Sequence, residues 1–312
     1  MRPHRGGTGM STRHLLDITD LTPGELRHVL ALSVAPPPRS LEGLGVALVF
    51  EKPSNRTRHS MEMAVVQMGG HPVYTRGEEV GLDTRESVED VTRILAGYHA
   101  VIAARVFSHA TVERMAACSS VPVVNMLSDR SHPLQALADM VTMRQHVGAP
   151  DELSVAWVGD YNNVARSLAE AVLMLGGAMS FGCPAGYAPA ADEIDRLSAL
   201  GGPVRSSADP VAAVAGANVV HTDTWVSMGQ EAESAERRKV FAGYIVDEKL
   251  MASAAPGARF MHCMPAHRGD EVSAEVFDGA RSLVIEQGHH RLTAARGALS
   301  FLMEKSGKGP QS

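Results

Sequence analysis

The chain has 312 residues, 45% of them apolar and 21% charged, with a formal net charge of −6 at pH 7. That length suits about two globular domains, and the mild acidic excess argues against nucleic acid or an anionic membrane as main partner, since both need a basic surface. Seven Phe, two Trp and five Tyr leave little for a base-stacking face. No apolar run approaches the ~20 residues of a bilayer span. Three dispersed cysteines, Cys118, Cys183 and Cys263, are too few for a disulfide framework and fit a reducing compartment, so a cytoplasmic location is expected. Residues 1–9 are basic and Gly-rich with no long apolar stretch after them, which disfavours a secretory leader; residues 1–12 read as a disordered extension, and Met10 is an alternative start.

Short apolar runs alternate with helical patterns along the chain. Thr22-Pro23-Gly24-Glu25 is a capping box with Pro at the first helical position and opens a helix to about Ser33. A buried strand is predicted over 45–50 and a helix over 54–68, stopped by Gly69 and Gly70. A helix over 86–95 leads to a strand over 100–104, and a helix over 110–117 leads to a strand over 121–124. After a helix over 133–146, the polar break 148–152 marks a boundary. The pattern then restarts: a strand over 154–158, a helix over 162–175, and strands near 179–181, 219–222, 259–263 and 282–285. A last helix over 291–305 is expected to return across the first half, and residues 306–312 to form a flexible tail. The expected fold is α/β: two doubly wound parallel-sheet domains, 13–147 and 148–290, joined by interdomain helices.

In such sheets ligands bind beyond the carboxyl ends of the strands, and five loops there carry unusual polar residues. Ser54-Asn55-Arg56-Thr57 opens a helix directly after a strand. Hydroxyls, free N–H groups and the positive helix end converge there, and arginine in a first helical turn is costly unless an anion sits nearby, so this is a candidate phosphate site. Arg105 ends the next strand and alone says little. His132 and Gln135, in Ser131-His132-Pro133-Leu134-Gln135, have side chains suited to donating to a carbonyl oxygen, although a structural cap explains them equally well. Gly159-Asp160-Tyr161-Asn162-Asn163 lacks the second and third glycines of a dinucleotide fingerprint; its two adjacent amides suit an amino acid's carboxylate and ammonium better than a pyrophosphate. Asp223 supplies a carboxylate for an ammonium, and the charged segment 230–239 looks like a solvated or mobile lid. In His262-Cys263-Met264-Pro265-Ala266-His267-Arg268 the cysteine reads as an inert buried thiol, a substrate contact or, least well, a metal ligand, since too few further ligands stand nearby.

Taken together, these segments resemble the ornithine carbamoyltransferase family over about 13–304. Ser54-Asn55-Arg56-Thr57-Arg58 is similar to its Ser-Thr-Arg-Thr-Arg segment, with Asn55 in place of Thr. His132-Pro133-Leu134-Gln135 matches His-Pro-x-Gln, the run from Asp223 to Ser227-Met228-Gly229 matches Asp-x-x-x-Ser-Met-Gly, and the run from His262 to Arg268 matches His-Cys-Leu-Pro-Ala-His-Arg. The resemblance implies carbamoyl transfer from carbamoyl phosphate to ornithine, giving citrulline, and a role in arginine biosynthesis. It implies no metal or organic cofactor, and assembly as a homotrimer or a multiple of trimers. It assigns Ser54, Asn55, Arg56, Thr57, Arg105, His132, Gln135, Cys263, Met264 and Arg291 to carbamoyl phosphate, with Arg56, Thr57, Arg105, His132 and Cys263 catalytic. Asn163, Asp223, Ser227 and Met228 are assigned to ornithine. A carbamoyltransferase for another amine, such as lysine or putrescine, and a non-catalytic paralogue are the alternatives.

Overall fold

The computed structural model describes residues 12–226 and 231–306. The expected extension up to residue 11, Ser227, Met228 and the tail from residue 307 lie outside the described residues.

Strand β1 (Gly45–Phe50) pairs in parallel with β2 (His71–Arg76) on one side and β3 (Val101–Arg105) on the other, and β4 (Val123–Leu127) completes the order β2-β1-β3-β4. Strands β5 (Ser154–Val158), β6 (Ala178–Gly182), β7 (Val204–Ser207), β8 (Val219–Thr222) and β9 (Arg259–His262) form a second parallel sheet, ordered β7-β6-β5-β8-β9. Helices cover both faces, which is why β1, β3 and β5 read as nearly unbroken apolar runs. The two edge strands β2 and β7 were not expected. One carries Pro72 and the other reads Val-Arg-Ser-Ser, and an edge strand exposed to water needs no apolar run.

The expected strand over 282–285 does not form. Ser282 makes a single bridge to Phe260, and the chain enters a helix at Val284. This Val284–Lys305 helix therefore starts seven residues before Arg291, running through Gly288, a residue that lowers local helix propensity and hid the start. It leaves the second lobe and packs on the helices Pro23–Val34, Asn55–Gln67 and Pro133–His146 of the first. Gly297 makes the closest approach: a Cβ there would stand 2.7 Å from Val29 O and 2.8 Å from Ser33 N, so only glycine fits. One core cluster runs through both lobes, from Leu26 and Leu48 to Trp157, Leu168 and Phe301. No helix among the described residues is long and apolar enough to cross a membrane.

The segment expected to be solvated is instead partly anchored. Of the expected segment 230–239, residue 230 lies outside the described residues and the rest runs into the helix Ser234–Phe241, in which Arg237 is 4% exposed and ion-paired with Asp160. Its guanidinium also donates to Trp225 O and faces the rings of Tyr187 and Phe241.

Candidate active site

The carboxyl ends of β1, β3, β4, β5, β8 and β9 open on one cleft of about 940 Å³ between the lobes. Every expected site residue among the described residues lines it.

On the first-lobe wall, Ser54 caps the Asn55–Gln67 helix, accepting from Thr57 N at 3.4 Å and donating to Thr57 Oγ1 at 3.1 Å. Arg105 Nη1 (3.3 Å) and Arg291 Nη2 (2.8 Å) donate to the same Thr57 oxygen. Three donors thus converge on a hydroxyl with two lone pairs. Arg56 lines the cleft beside them, and Asn55 is exposed at its rim. The first turn of this helix contains no acidic residue. Burial, then the neighbouring guanidiniums, push the pKa of Arg105 down to about 10; burial does the same to Arg291, with Cys263 opposing and Arg56 adding to the fall.

His132 is buried at the start of the Pro133–His146 helix, with Nε2 3.4 Å from Arg291 Nη1. Burial and the two arginines hold its pKa well below the usual histidine value, so its ring is neutral. Gln135 accepts from Arg291 through Oε1 and donates to the buried Asp139 at 2.8 Å. Arg105 Nε, Arg291 Nε and His132 Nδ1 are buried without a hydrogen-bond partner among the described residues. Donors outnumber acceptors on this wall, a composition that suits an anion with several oxygens.

The facing wall has the opposite character. Asp223 accepts from Thr224 N (2.8 Å) and Cys263 Sγ (3.1 Å) on one oxygen and from Asn162 Nδ2 (2.9 Å) on the other. Asn162 also caps the Asn163–Met174 helix, accepting from Val164 N and Ala165 N at 3.0 Å. Asn163 Nδ2 is bonded to Ser128 O at 2.6 Å. Burial and the adjacent Asp223 drive the Cys263 thiol well above its ordinary pKa, so it remains a proton donor. Met264 follows in the left-handed region (φ 56), with a cis bond to Pro265.

Asp223, His262 and Cys263 bring three potential metal-ligand atoms within 4.8 Å of one another. These groups are already engaged: His262 Nδ1 accepts from Met264 N at 2.8 Å, its Nε2 faces Glu271 at 3.2 Å, and the Cys263 thiol donates to Asp223 at 3.1 Å. The donor set fits internal hydrogen bonding rather than a metal.

Sequence reasoning paired the two amides but did not single out Asn162 as the residue that holds Asp223; its position as helix cap was the available signal. It also missed Arg237, whose ion pair to Asp160 ties the β5 loop to the β8 loop. The partner of a buried arginine 77 residues away leaves no local mark.

Two doubly wound lobes with a donor-rich wall facing a carboxylate define a two-substrate, anion-binding enzyme class, and the comparisons specify it. Residues 13–145 match the aspartate/ornithine carbamoyltransferase carbamoyl-P binding domain, and residues 151–302 match the Asp/Orn binding domain of the same family. The chain belongs to the aspartate/ornithine carbamoyltransferase family. An ornithine carbamoyltransferase of Parafrankia sp. (strain EAN1pec) is 42% identical over 96% of this chain and 99% of that protein. The solved ornithine carbamoyltransferase from Pyrococcus furiosus is 41% identical and superposes with a TM-score of 0.89, covering 94% of this chain and 98% of that one. A solved N-acetyl-L-ornithine transcarbamylase is more distant, at 27% identity and a TM-score of 0.83, covering 92% of this chain and 98% of that one.

Proposed function

We propose that the protein transfers the carbamoyl group of carbamoyl phosphate to the δ-amine of L-ornithine, giving L-citrulline and phosphate; the relatives that it resembles are named ornithine carbamoyltransferases. The observation that carries this reading is the asymmetry of the cleft. Arg56, Arg105, Arg291 and Thr57 converge on one wall, where buried donors lack acceptors, and a carboxylate held by Asn162 and Cys263 stands on the other.

In this reading the lobe 13–147 binds carbamoyl phosphate. Ser54, Asn55, Arg56, Thr57 and the helix N-terminus hold its phosphate, while Arg105, His132 and Thr57 face the carbonyl oxygen, Gln135 faces the amide, and Arg291 reaches in from the last helix. The lobe 148–290 binds ornithine through Asn163, Asp223, Ser227 and Met228. The neutral δ-nitrogen attacks the carbonyl carbon; the oxygen gains charge in a tetrahedral intermediate, then the C–O bond to phosphate breaks and the nitrogen loses a proton. Donors aimed at that oxyanion are worth about 10²–10³ in rate each, and orientation supplies much of the rest. Cys263, protonated, orients Asp223 and the Met264 backbone where the two substrates meet. A homotrimer, a cytoplasmic location and a place in arginine biosynthesis complete the reading.

A steady-state panel of ornithine, N-acetylornithine, lysine and putrescine with carbamoyl phosphate, scored by ureido product, tests it. Ornithine should lead by a wide margin. Preference for another amine moves the assignment within the family, and absence of product from all four overturns it.

A further inference from the structure

Behind His132 lies a polar seam between the lobes that the reaction described above does not use. His132 N donates to Ser167 Oγ at 3.0 Å, Ser167 Oγ lies 3.0 Å from Ser131 Oγ, and Ser131 Oγ donates to Asp17 Oδ1 at 3.0 Å. Because the Ser131 proton goes to Asp17, the Ser167 proton goes to Ser131, and the chain has one direction: His132 to Ser167 to Ser131 to Asp17. Ile18 N also donates to Oδ1, at 2.9 Å. Asp17 belongs to the first lobe, and Ser167 sits on the Asn163–Met174 helix of the second.

One turn along that helix, Glu170 is fully buried. Both arginines that reach it, Arg166 (3.2 Å) and Arg196 (2.8 Å), bind Oε1. Glu170 Oε2 and Asp17 Oδ2 are left buried with no hydrogen-bond donor among the described residues, on a helix and a turn that pack against each other, and each carboxyl group lies in the field of the other. Two ionised carboxylates cannot bond to each other; one proton between them satisfies both oxygens.

We propose that Asp17 and Glu170, one from each lobe, share a single proton, and that they act as positioning residues whose carboxyl–carboxylate bond fixes the outer end of the chain holding His132.

The surrounding charges fit this. Arg130 Nη2 stands 3.5 Å from Asp17 Oδ2, outside hydrogen-bond geometry, while Nη1 of the same guanidinium binds Glu113 at 3.4 Å. His109, on the helix that carries Glu113, lies within the field of both Arg130 and Asp17. Asp20, in the same turn as Asp17, is engaged by the Leu16 and Asp17 N–H groups. Arg166 and Arg196 are divided between Glu170 and Glu193, and Glu193 also accepts from Tyr161. Burial first and Asp17 second raise the Glu170 carboxyl to about 8.

An acid whose pKa is raised by folding stabilises the fold fully below its unfolded value, near 4.5, and that contribution is lost as pH rises to about 8. The test is thermal melting of the wild type and Glu170→Gln across pH 5 to 9.5, since the amide keeps a permanent donor toward Asp17. The wild-type Tm should fall relative to that of Glu170→Gln as pH rises to about 8 and then run parallel to it. A protonated-carboxyl stretch should appear in the wild-type infrared spectrum at pH 7 and vanish in Glu170→Gln. A pH-independent Tm difference, or no such stretch, overturns the shared proton.

For positioning, Glu170→Leu should lower kcat by about 10-fold with little change in KM, with Glu170→Gln near wild type; equal activity in all three overturns that half. The kinetic half rests on the role proposed for His132, whereas melting and infrared do not, so the two failures are distinguishable.

Discussion

Arg291 Nη2 donates to Thr57 Oγ1 at 2.8 Å across a sequence separation of 234 residues. The contact joins the helix that crosses from the second lobe to the first turn of the helix after β1, so the anion wall is complete only when both ends of the chain have docked.

Removing Arg291 should therefore affect carbamoyl phosphate before it affects ornithine. Arg291→Ala is expected to lower kcat/KM for carbamoyl phosphate by about 10²–10³. Arg291→Lys should recover little, because Arg291 divides its donors between Thr57 and Gln135 and a point ammonium does not span both. Saturation curves in each substrate check this, and a loss confined to ornithine would contradict it.

Much of this wall was legible because its elements are local. Ser54 caps a helix directly after the apolar strand β1 with Thr57 in its first turn, and His132 precedes a helix that opens on Pro133 with Gln135 in its first turn, so the local pattern of strand end and helix start specifies both. Arg291 was placed only through family resemblance, and its helix was started too late, since Gly288 weakens the local helical signal. Edge strand β7 and the pair Asp17–Glu170 left no trace, the first because water covers one side of it and the second because partners in different lobes meet only after folding. Asp223 was legible as a carboxylate, but its three donors arrive from separate loops.

Cys263 should behave as an unreactive thiol. Its proton is held against Asp223 at 3.1 Å, and burial together with that carboxylate disfavours the thiolate. Iodoacetamide at pH 7.5 should alkylate it far more slowly than a free thiol, as read by mass spectrometry. Cys263→Ala removes one donor to Asp223 and is expected to raise KM for ornithine about 10-fold while leaving carbamoyl phosphate binding within a factor of two or three. A larger effect on carbamoyl phosphate would reverse the assignment.

The pH profile should belong to the substrate rather than to His132. With its pKa held well below 6.5 by burial, Arg291 and Arg105, the ring stays neutral across the working range. The ornithine δ-ammonium, with an ordinary amine pKa near about 10, must lose its proton, so kcat/KM for ornithine should rise from pH 6.5 toward alkaline values. His132→Ala should lower the whole curve by about 10²–10³ without moving its acid limb. An acid limb that shifts in the variant would assign it to the ring. Because folding depresses the His132 pKa, its contribution to stability is present above about 6.5 and lost as pH falls below that value.

Arg237 is the strongest candidate for a residue that shapes the ornithine side without touching substrate. Its guanidinium bonds Asp160 in the β5 loop and Trp225 O in the β8 loop, the two segments that carry Asn162, Asn163 and Asp223. Arg237→Ala leaves the Asp160 carboxylate largely buried and unpaired, a change that typically costs about 3–5 kcal/mol. Burial already raises the Asp160 carboxyl, with Arg237 opposing. Without the arginine the group takes up a proton more readily, so the destabilisation should be largest at neutral and alkaline pH and shrink as pH falls. Asp160→Asn in the same chain should recover part of the loss, since no buried charge then remains. KM for ornithine should rise more than KM for carbamoyl phosphate, because Arg105, Arg291 and Thr57 contact neither loop through this pair. Urea unfolding at pH 5.5 and 8 with steady-state kinetics on both variants decides it: equal destabilisation at the two pH values would mean that the lost packing against Tyr187 and Phe241, rather than the stranded carboxylate, dominates.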